Sequence, residues 1–217
     1  NAVSGDQVKF GVDPTGPTGG SLLANLIQTP SLMERAQQGR EVGFAIIAVG
    51  IIAVIFSFWK LYSLYITGAA VRKQMNSKAA DIANPLGRVL KVGNDNFNKD
   101  IDTLELKLAE AIMAERPAID SGIGFIKIIS VIAPLAGLLG TVTGMIVTFQ
   151  MITLYGTGDP KLMAGGISQA LVTTVLGLLV AIPTSLLHSF TQSSARGIIG
   201  ILEEQSTGIL AERAETK

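Results

Sequence analysis

The centre of the chain reads Ala133-Pro-Leu-Ala-Gly-Leu-Leu-Gly-Thr-Val-Thr-Gly-Met-Ile-Val-Thr-Phe149, which is apolar enough to lie in a bilayer and carries no ionisable side chain. Small and hydroxyl residues recur around it at steps of three and four, so on an α-helix they form one continuous stripe. The members of this central stripe are Ser130, Ala133, Gly137, Thr141, Gly144 and Thr148. Larger apolar residues occupy the other sides, which predicts one face for protein or water and one for lipid.

A second segment, from Gly166 to His188, repeats this design. Its stripe consists of Gly166, Ala170, Thr174, Gly177, Ala181, Thr184 and His188. Two such helices in one chain predict a lined membrane cavity.

The composition also indicates a membrane protein. Only 16% of the 217 residues are charged, against roughly 25% in soluble domains, and the shortfall lies in three long apolar runs. The net charge is zero, so nothing favours nucleic-acid binding. Without cysteine, and with a single histidine, the chain offers neither a thiolate nor a histidine metal cluster, and no nucleophile stands beside a base. We therefore expect no enzyme activity, no cofactor and no metal.

These patterns predict an all-α membrane protein with three transmembrane helices, N-out and C-in, because the connection after the first span holds eight basic residues and the later turn holds one. Long helices should project into the cytoplasm. The predicted segments are a periplasmic N-terminal part with short amphipathic helices (1–42), span 1 (43–66), a cytoplasmic helical connection (67–122), span 2 (123–154), a periplasmic turn (155–164), span 3 (165–190) and a cytoplasmic helical tail (191–217).

Two details refine the connection and the first span. The apolar residues of Ile101–Ala114 recur at helical spacing, which predicts an amphipathic helix with Leu104 and Leu108 on its apolar face. Pro117 is expected to end this helix. Lys60, at the end of the first apolar run, is expected to extend its ammonium group to the membrane surface.

No span contains Asp or Glu, so a proton crossing here needs an acid from a partner. This chain can supply hydroxyls and an amide, which position water or solvate a carboxylate without holding charge. The candidate pore-lining residues are Thr141, Thr148, Gln169, Thr173 and Thr174. The alternative for each threonine is a bond to the carbonyl one turn back, or helix packing.

A further set of residues is predicted to shape and pack the helices. Gly140 and Gly144 form a small-residue packing motif, while Pro134 and Pro183 should kink their helices. The full set is Pro134, Gly137, Gly140, Gly144, Gly177 and Pro183. His188 is expected to pack near the inner end of span 3.

The motifs Ala133-Pro-Leu-Ala-Gly-Leu-Leu-Gly-Thr-Val-Thr-Gly-Met-Ile146 and Gly166-Ile-Ser-Gln-Ala-Leu-Val-Thr-Thr-Val-Leu-Gly-Leu-Leu-Val-Ala-Ile-Pro183 strongly resemble the MotA/TolQ/ExbB proton-channel family, and most closely its ExbB branch. The N-terminal stretches Phe10–Asp13 and Gln28–Leu32 resemble larger ExbB variants with an extra periplasmic region.

The resemblance implies a pentameric ring in the bacterial inner membrane around the helices of an ExbD-like single-span partner, which carries the essential aspartate. Proton flow would then energise a TonB-like protein and outer-membrane import. Thr141 and Thr174 match the family's pore-lining threonines, whereas Gln169 stands where many ExbB proteins have glutamate and cannot relay a proton as an acid.

Three alternatives stay open. A TolQ-like or motor-stator subunit would drive a different load with the same motor. A non-conducting membrane scaffold would use both stripes only for packing. An enzyme or transporter with its own substrate site is disfavoured, because the spans carry no acidic residue and almost no charge.

Overall fold

A computed structural model describes residues 39–77, 79–156 and 160–215, and this part of the chain is helical without strands. The short amphipathic helices predicted within residues 1–42 fall almost wholly outside it. The helices are α1 (Arg40–Met75), α2 (Pro85–Asn96), α3 (Ile101–Asp120), α4 (Ile123–Tyr155) and α5 (Pro160–Glu215).

Three of these helices are long and apolar enough to cross a membrane, which confirms the prediction of an all-α chain with three apolar spans. They cover Glu41–Met75, Ile123–Tyr155 and Met163–Glu215. With 56 residues, α5 is about 84 Å long at about 1.5 Å per residue. Because this is more than twice the thickness of a bilayer core of about 30 Å, the third span continues without a break into the predicted tail.

The short helix α2 was not predicted from the sequence. Asn84 caps its first turn by accepting a hydrogen bond from the Gly87 N–H at 2.8 Å, and Pro85 occupies the first helical position. The amide of Asn84 also donates to Gln74 Oε1 at 3.2 Å. Since Gln74 belongs to α1, one side chain both starts α2 and ties it to the first span.

Helix α3 confirms the predicted amphipathic pattern but not its predicted end. Leu104 and Leu108 are fully buried, and Asp100 caps the helix through the Thr103 N–H, a bond that lowers the pKa of Asp100. The expectation that Pro117 ends the helix is wrong, because α3 continues to Asp120. Pro117 removes only one backbone bond, and the burial of Ile119 holds the last turn in place.

Helices α2 and α3 share one apolar core with the C-terminal halves of α1 and α5. It gathers leucine, isoleucine and valine side chains from all four helices and includes Ile123 at the start of α4. The core residues are Leu64, Val71, Leu86, Val89, Leu104, Leu108, Ile119, Ile123, Ala195, Ile198, Ile199 and Leu202. Span and connection are therefore packed as one unit.

Helices α4 and α5 meet through glycines. A Cβ atom added at Gly177 would lie 2.7 Å from the Ala133 carbonyl oxygen and 3.1 Å from the Gly137 Cα atom. One added at Gly144 would lie 2.8 Å from the Gly166 carbonyl oxygen. The backbones approach so closely that no larger residue fits without displacement.

The two small-residue stripes therefore face each other within one chain. The glycines that were predicted to pack the helices lie in this contact, while a cavity lined by the two stripes stays a prediction. Residues at the margin of the contact, including Thr141 and Thr174, stay partly exposed.

The glycine contact predicts a selective effect of one added methyl group. A Cβ at Gly140 would collide with the Thr173 side chain, whereas Gly124 on the same helix has nothing within 4 Å. We expect Gly140→Ala to destabilise the chain by about 1–3 kcal/mol through overpacking. Gly124→Ala should leave stability unchanged or raise it by up to about 1 kcal/mol. Thermal unfolding of the purified protein in detergent measures both, and equal melting temperatures for the two variants would contradict the packing.

The Asn84 cap predicts a second loss of stability. Asn84→Ala removes the bond to the Gly87 N–H and one donor to the Gln74 oxygen, so we expect a loss of about 1–2 kcal/mol. The control is Asn94→Ala, an exposed position in the same helix, which should change stability by less than about 0.5 kcal/mol. Melting curves of the two variants compare them, and a larger effect at Asn94 would refute the role of the cap.

Candidate functional site

Thr141 and Thr174 are brought together where α4 crosses α5. The Thr174 hydroxyl donates across the interface to the Gly137 carbonyl oxygen at 3.4 Å. Gly137 lies one helical turn before Thr141 on the same helix. Thr141 therefore lies about one helical turn from the level at which Thr174 reaches α4. Both threonines are partly exposed, at the margin of the glycine contact rather than inside it.

Each of these hydroxyls keeps chemical capacity for a further group. The Thr141 hydroxyl donates to the Leu138 carbonyl at 2.6 Å, which uses its one proton and leaves its oxygen lone pairs. Such an oxygen accepts a hydrogen bond from a protonated carboxyl group or a water. If the hydroxyl rotates, it can instead donate to an ionised carboxylate.

Thr148 and Thr173 lie elsewhere, inside the contact between α4 and α5. Their exposed fractions are 3% and 0%. Thr148 donates to the Gly144 carbonyl at 3.0 Å, and Thr173 donates to the Ala170 carbonyl at 2.9 Å. Their hydroxyls satisfy backbone carbonyls within the chain and fill space beside glycines, so their exposure does not favour a pore-lining role.

Gln169 is half-buried on α5, one turn before Thr173. Its backbone carbonyl accepts a 3.2 Å hydrogen bond from the Thr173 hydroxyl. The side-chain amide can donate and accept hydrogen bonds but cannot ionise near neutral pH. What this position can offer is therefore polar contact.

Pro134 and Pro183 both sit within continuous helices. Each leaves one carbonyl, four residues earlier, without its helical N–H partner. Pro183 lines a groove of about 370 Å³ between α1 and α5, together with Gly50 and Val180. The kinks expected at the two prolines stay predictions.

Lys60 of α1 has a partner on the connecting helix α3. Only 6% of the lysine is exposed, and its Nζ donates to the Ala118 carbonyl oxygen at 3.4 Å. The end of α3 thus supplies a polar partner beside the first span, and extension of the ammonium group to the membrane surface stays a prediction. The sequence held a signal for the burial of Lys60, since Ala53, Ser57, Lys60 and Leu64 recur at helical steps and are all buried.

His188 lies half-buried on α5. Lys127 of α4 and Arg196 of α5 are close enough for their charges to act on its ring. Basic side chains from both helices therefore lie near this ring.

The sequence around these residues is similar to that of known proteins. The sequence profile of the MotA/TolQ/ExbB proton channel family matches residues 81–204, which is more than half of the chain. That region includes α2, α3, both glycine-packed spans, Thr141 and Thr174.

Individual relatives have names that contain ExbB, one of the three names in the family's description. A protein described as an ExbB homologue from Methanothermobacter thermautotrophicus is 30% identical over 74% of this chain and 62% of its own length. The ExbB-like 3 biopolymer transport protein of Synechocystis sp. is 30% identical over 76% of this chain and 84% of its own length. Biopolymer transport protein exbB1 of Vibrio cholerae is 40% identical over 45% of this chain and 42% of its own length. With its glycine-packed spans and their paired threonines, the chain belongs to the MotA/TolQ/ExbB proton channel family.

Proposed function

We propose that this chain is the proton-channel and motor subunit of a bacterial inner-membrane complex that energises TonB-dependent outer-membrane transport. An ExbD-like single-span partner supplies the proton-carrying aspartate, and a TonB-like protein receives the motion. The observation that carries the proposal is that Thr141 and Thr174 lie at the margin of the contact between two helices whose predicted spans, 123–154 and 165–190, contain no carboxylate.

The role of the two hydroxyls follows from their hydrogen bonding. In an apolar lumen, desolvation favours the neutral form of a partner carboxylic acid. The Thr141 oxygen, whose proton is engaged by Leu138, can accept the O–H of that acid. The longer 3.4 Å bond from Thr174 to Gly137 costs less to exchange for a bond to the ionised carboxylate. The pair thus serves both protonation states.

The apolar surface of α4 supports assembly into a ring. Between Leu135 and Phe149 it exposes seven large apolar side chains, all at least half exposed in the single chain except Met145. They are Leu135, Leu138, Leu139, Val142, Met145, Ile146 and Phe149. Lipid, further copies of the chain and the partner helices together would cover this surface in a homo-pentamer.

The orientation in this proposal is N-out and C-in. Residues 67–122, which include the end of α1 and the connecting helices, carry eight Lys or Arg side chains, and short basic connections stay on the cytoplasmic side. The core beneath the spans and the inner half of α5 would then lie in the cytoplasm.

Replacing both hydroxyls should stop energy transduction without dissolving the complex. We expect Thr141→Val with Thr174→Val to reduce proton flux at least tenfold, because a partner acid would lose its polar contacts in a dry site. Flux is measured with a pH-sensitive dye in vesicles containing this chain and its single-span partner. TonB-dependent import by cells that carry the same variants measures whether proton flow still drives transport.

The matched control is Thr153→Val. Thr153 is exposed on the same helix, and its hydroxyl bonds only the Phe149 carbonyl at 2.9 Å, so its removal should leave flux unchanged. A fully active double variant would remove Thr141 and Thr174 from the pathway. An assembled wild-type complex without flux would instead identify a non-conducting scaffold, and co-purification with a Tol-type rather than a TonB-type protein would reassign the load.

A further inference from the structure

The connecting helix α3 and the span α4 are joined by only two residues, Ser121 and Gly122. Gly122 has a φ of +78°, a conformation that L side chains rarely adopt, and it begins the span. The helix is therefore interrupted between Asp120 and Ile123. We call residues 118–125 the joint.

The first span touches the joint through Phe56. A Cβ atom at Gly122 would lie 2.7 Å from the tip of the Phe56 ring, so ring and backbone are in close contact. Phe56 also meets Phe125 edge to face, with ring centroids 5.3 Å apart and planes at 81°. One aromatic ring thus contacts both the turn and the first helical turn of α4.

One turn further along α1, Lys60 holds the other side of the joint. The Ala118 carbonyl that accepts its 3.4 Å hydrogen bond is among the last four of α3, which lack helical N–H partners. A cation at this end is also favoured by the helix dipole, and the Asp120 charge lies within electrostatic range.

The surroundings explain how a buried ammonium group is tolerated there. A cavity of about 180 Å³ beside Lys60 is lined by Ser63, Thr67 and the ion pair of Arg88 with Glu115. This is room for several water molecules with polar partners. The remaining donors of Lys60 can therefore be hydrated without exposing the side chain.

We propose that Phe56 and Lys60 act as a clamp that fixes the angle between α3 and α4, so that the first span positions the pore-facing residues of the second. Thr141 lies 18 residues beyond Ile123, or about 27 Å at about 1.5 Å per residue. A tilt of about 5° at the joint would move Thr141 by about 2 Å, which is enough to misalign a hydrogen bond. The consequence for proton transfer rests on the proposed function, whereas the clamp itself does not.

Hydrogen–deuterium exchange of the whole complex tests the clamp directly. Lys60→Met keeps the length of the side chain but removes the charge and the bond to Ala118. We expect peptides covering the joint to exchange about tenfold faster, while peptides around Gly140 are unchanged and the complex stays assembled. Lys60→Arg should restore protection. The control is Lys73→Met, an exposed position on the same helix, which should exchange as the wild type does.

Proton flux of the same variants separates the clamp from the proposed function. Flux should fall in Lys60→Met and recover in Lys60→Arg. Unchanged exchange at the joint would overturn the clamp, and faster exchange with normal flux would overturn its influence on the pore; neither result bears on the threonine test. Should Lys60→Met fail to assemble, Phe56→Leu removes the ring contacts with Gly122 and Phe125 and keeps Lys60. It must give the same local loss of protection for the proposal to stand.

Discussion

The backbone contact between Gly137 and Gly177 is the constraint on which the arrangement of the spans depends. Membrane helices gain little from burying apolar surface against each other, because lipid is equally apolar. Close approach compensates, since many weak dispersion contacts form at once when no Cβ atom intervenes. A Cβ at either glycine would meet the opposite backbone at 3.1 Å or less. Substitution of either glycine by a larger residue would therefore push α4 and α5 apart.

That contact also explains why threonines only one residue apart have different surroundings. Thr173 points into the interface and spends its hydroxyl on carbonyls of its own helix, whereas Thr174 reaches the carbonyl of Gly137 on the other helix. The step of about 100° between successive residues of a helix moves one side chain into the contact and the next to its margin. A polar residue available to a partner therefore needs a position beside the glycines, not among them.

The sequence predicted what depends on local pattern and average hydropathy. Three apolar runs predicted the long helices, and the four-residue spacing of Leu104 and Leu108 predicted the buried face of α3. Both features follow from residue type and helical period. Which surface each stripe meets depends on tertiary packing. The same holds for Pro117, where burial of Ile119 outweighs one missing hydrogen bond, and for Lys60, whose partner is 58 residues away.

The first span shows how a chain without intramembrane acids can still place charge near its spans. Its outward side is aromatic and exposed at Trp59, Tyr62 and Tyr65, as suits a membrane interface. Its other side carries Lys60, which donates a hydrogen bond to the C-terminal end of α3 and lies beside a polar cavity. A buried cation removed from water is costly unless fixed dipoles replace the lost hydration. The hydrogen bond that stabilises the buried Lys60 forms only while the end of α3 lies beside α1. The first span is therefore sensitive to the position of the connecting helix.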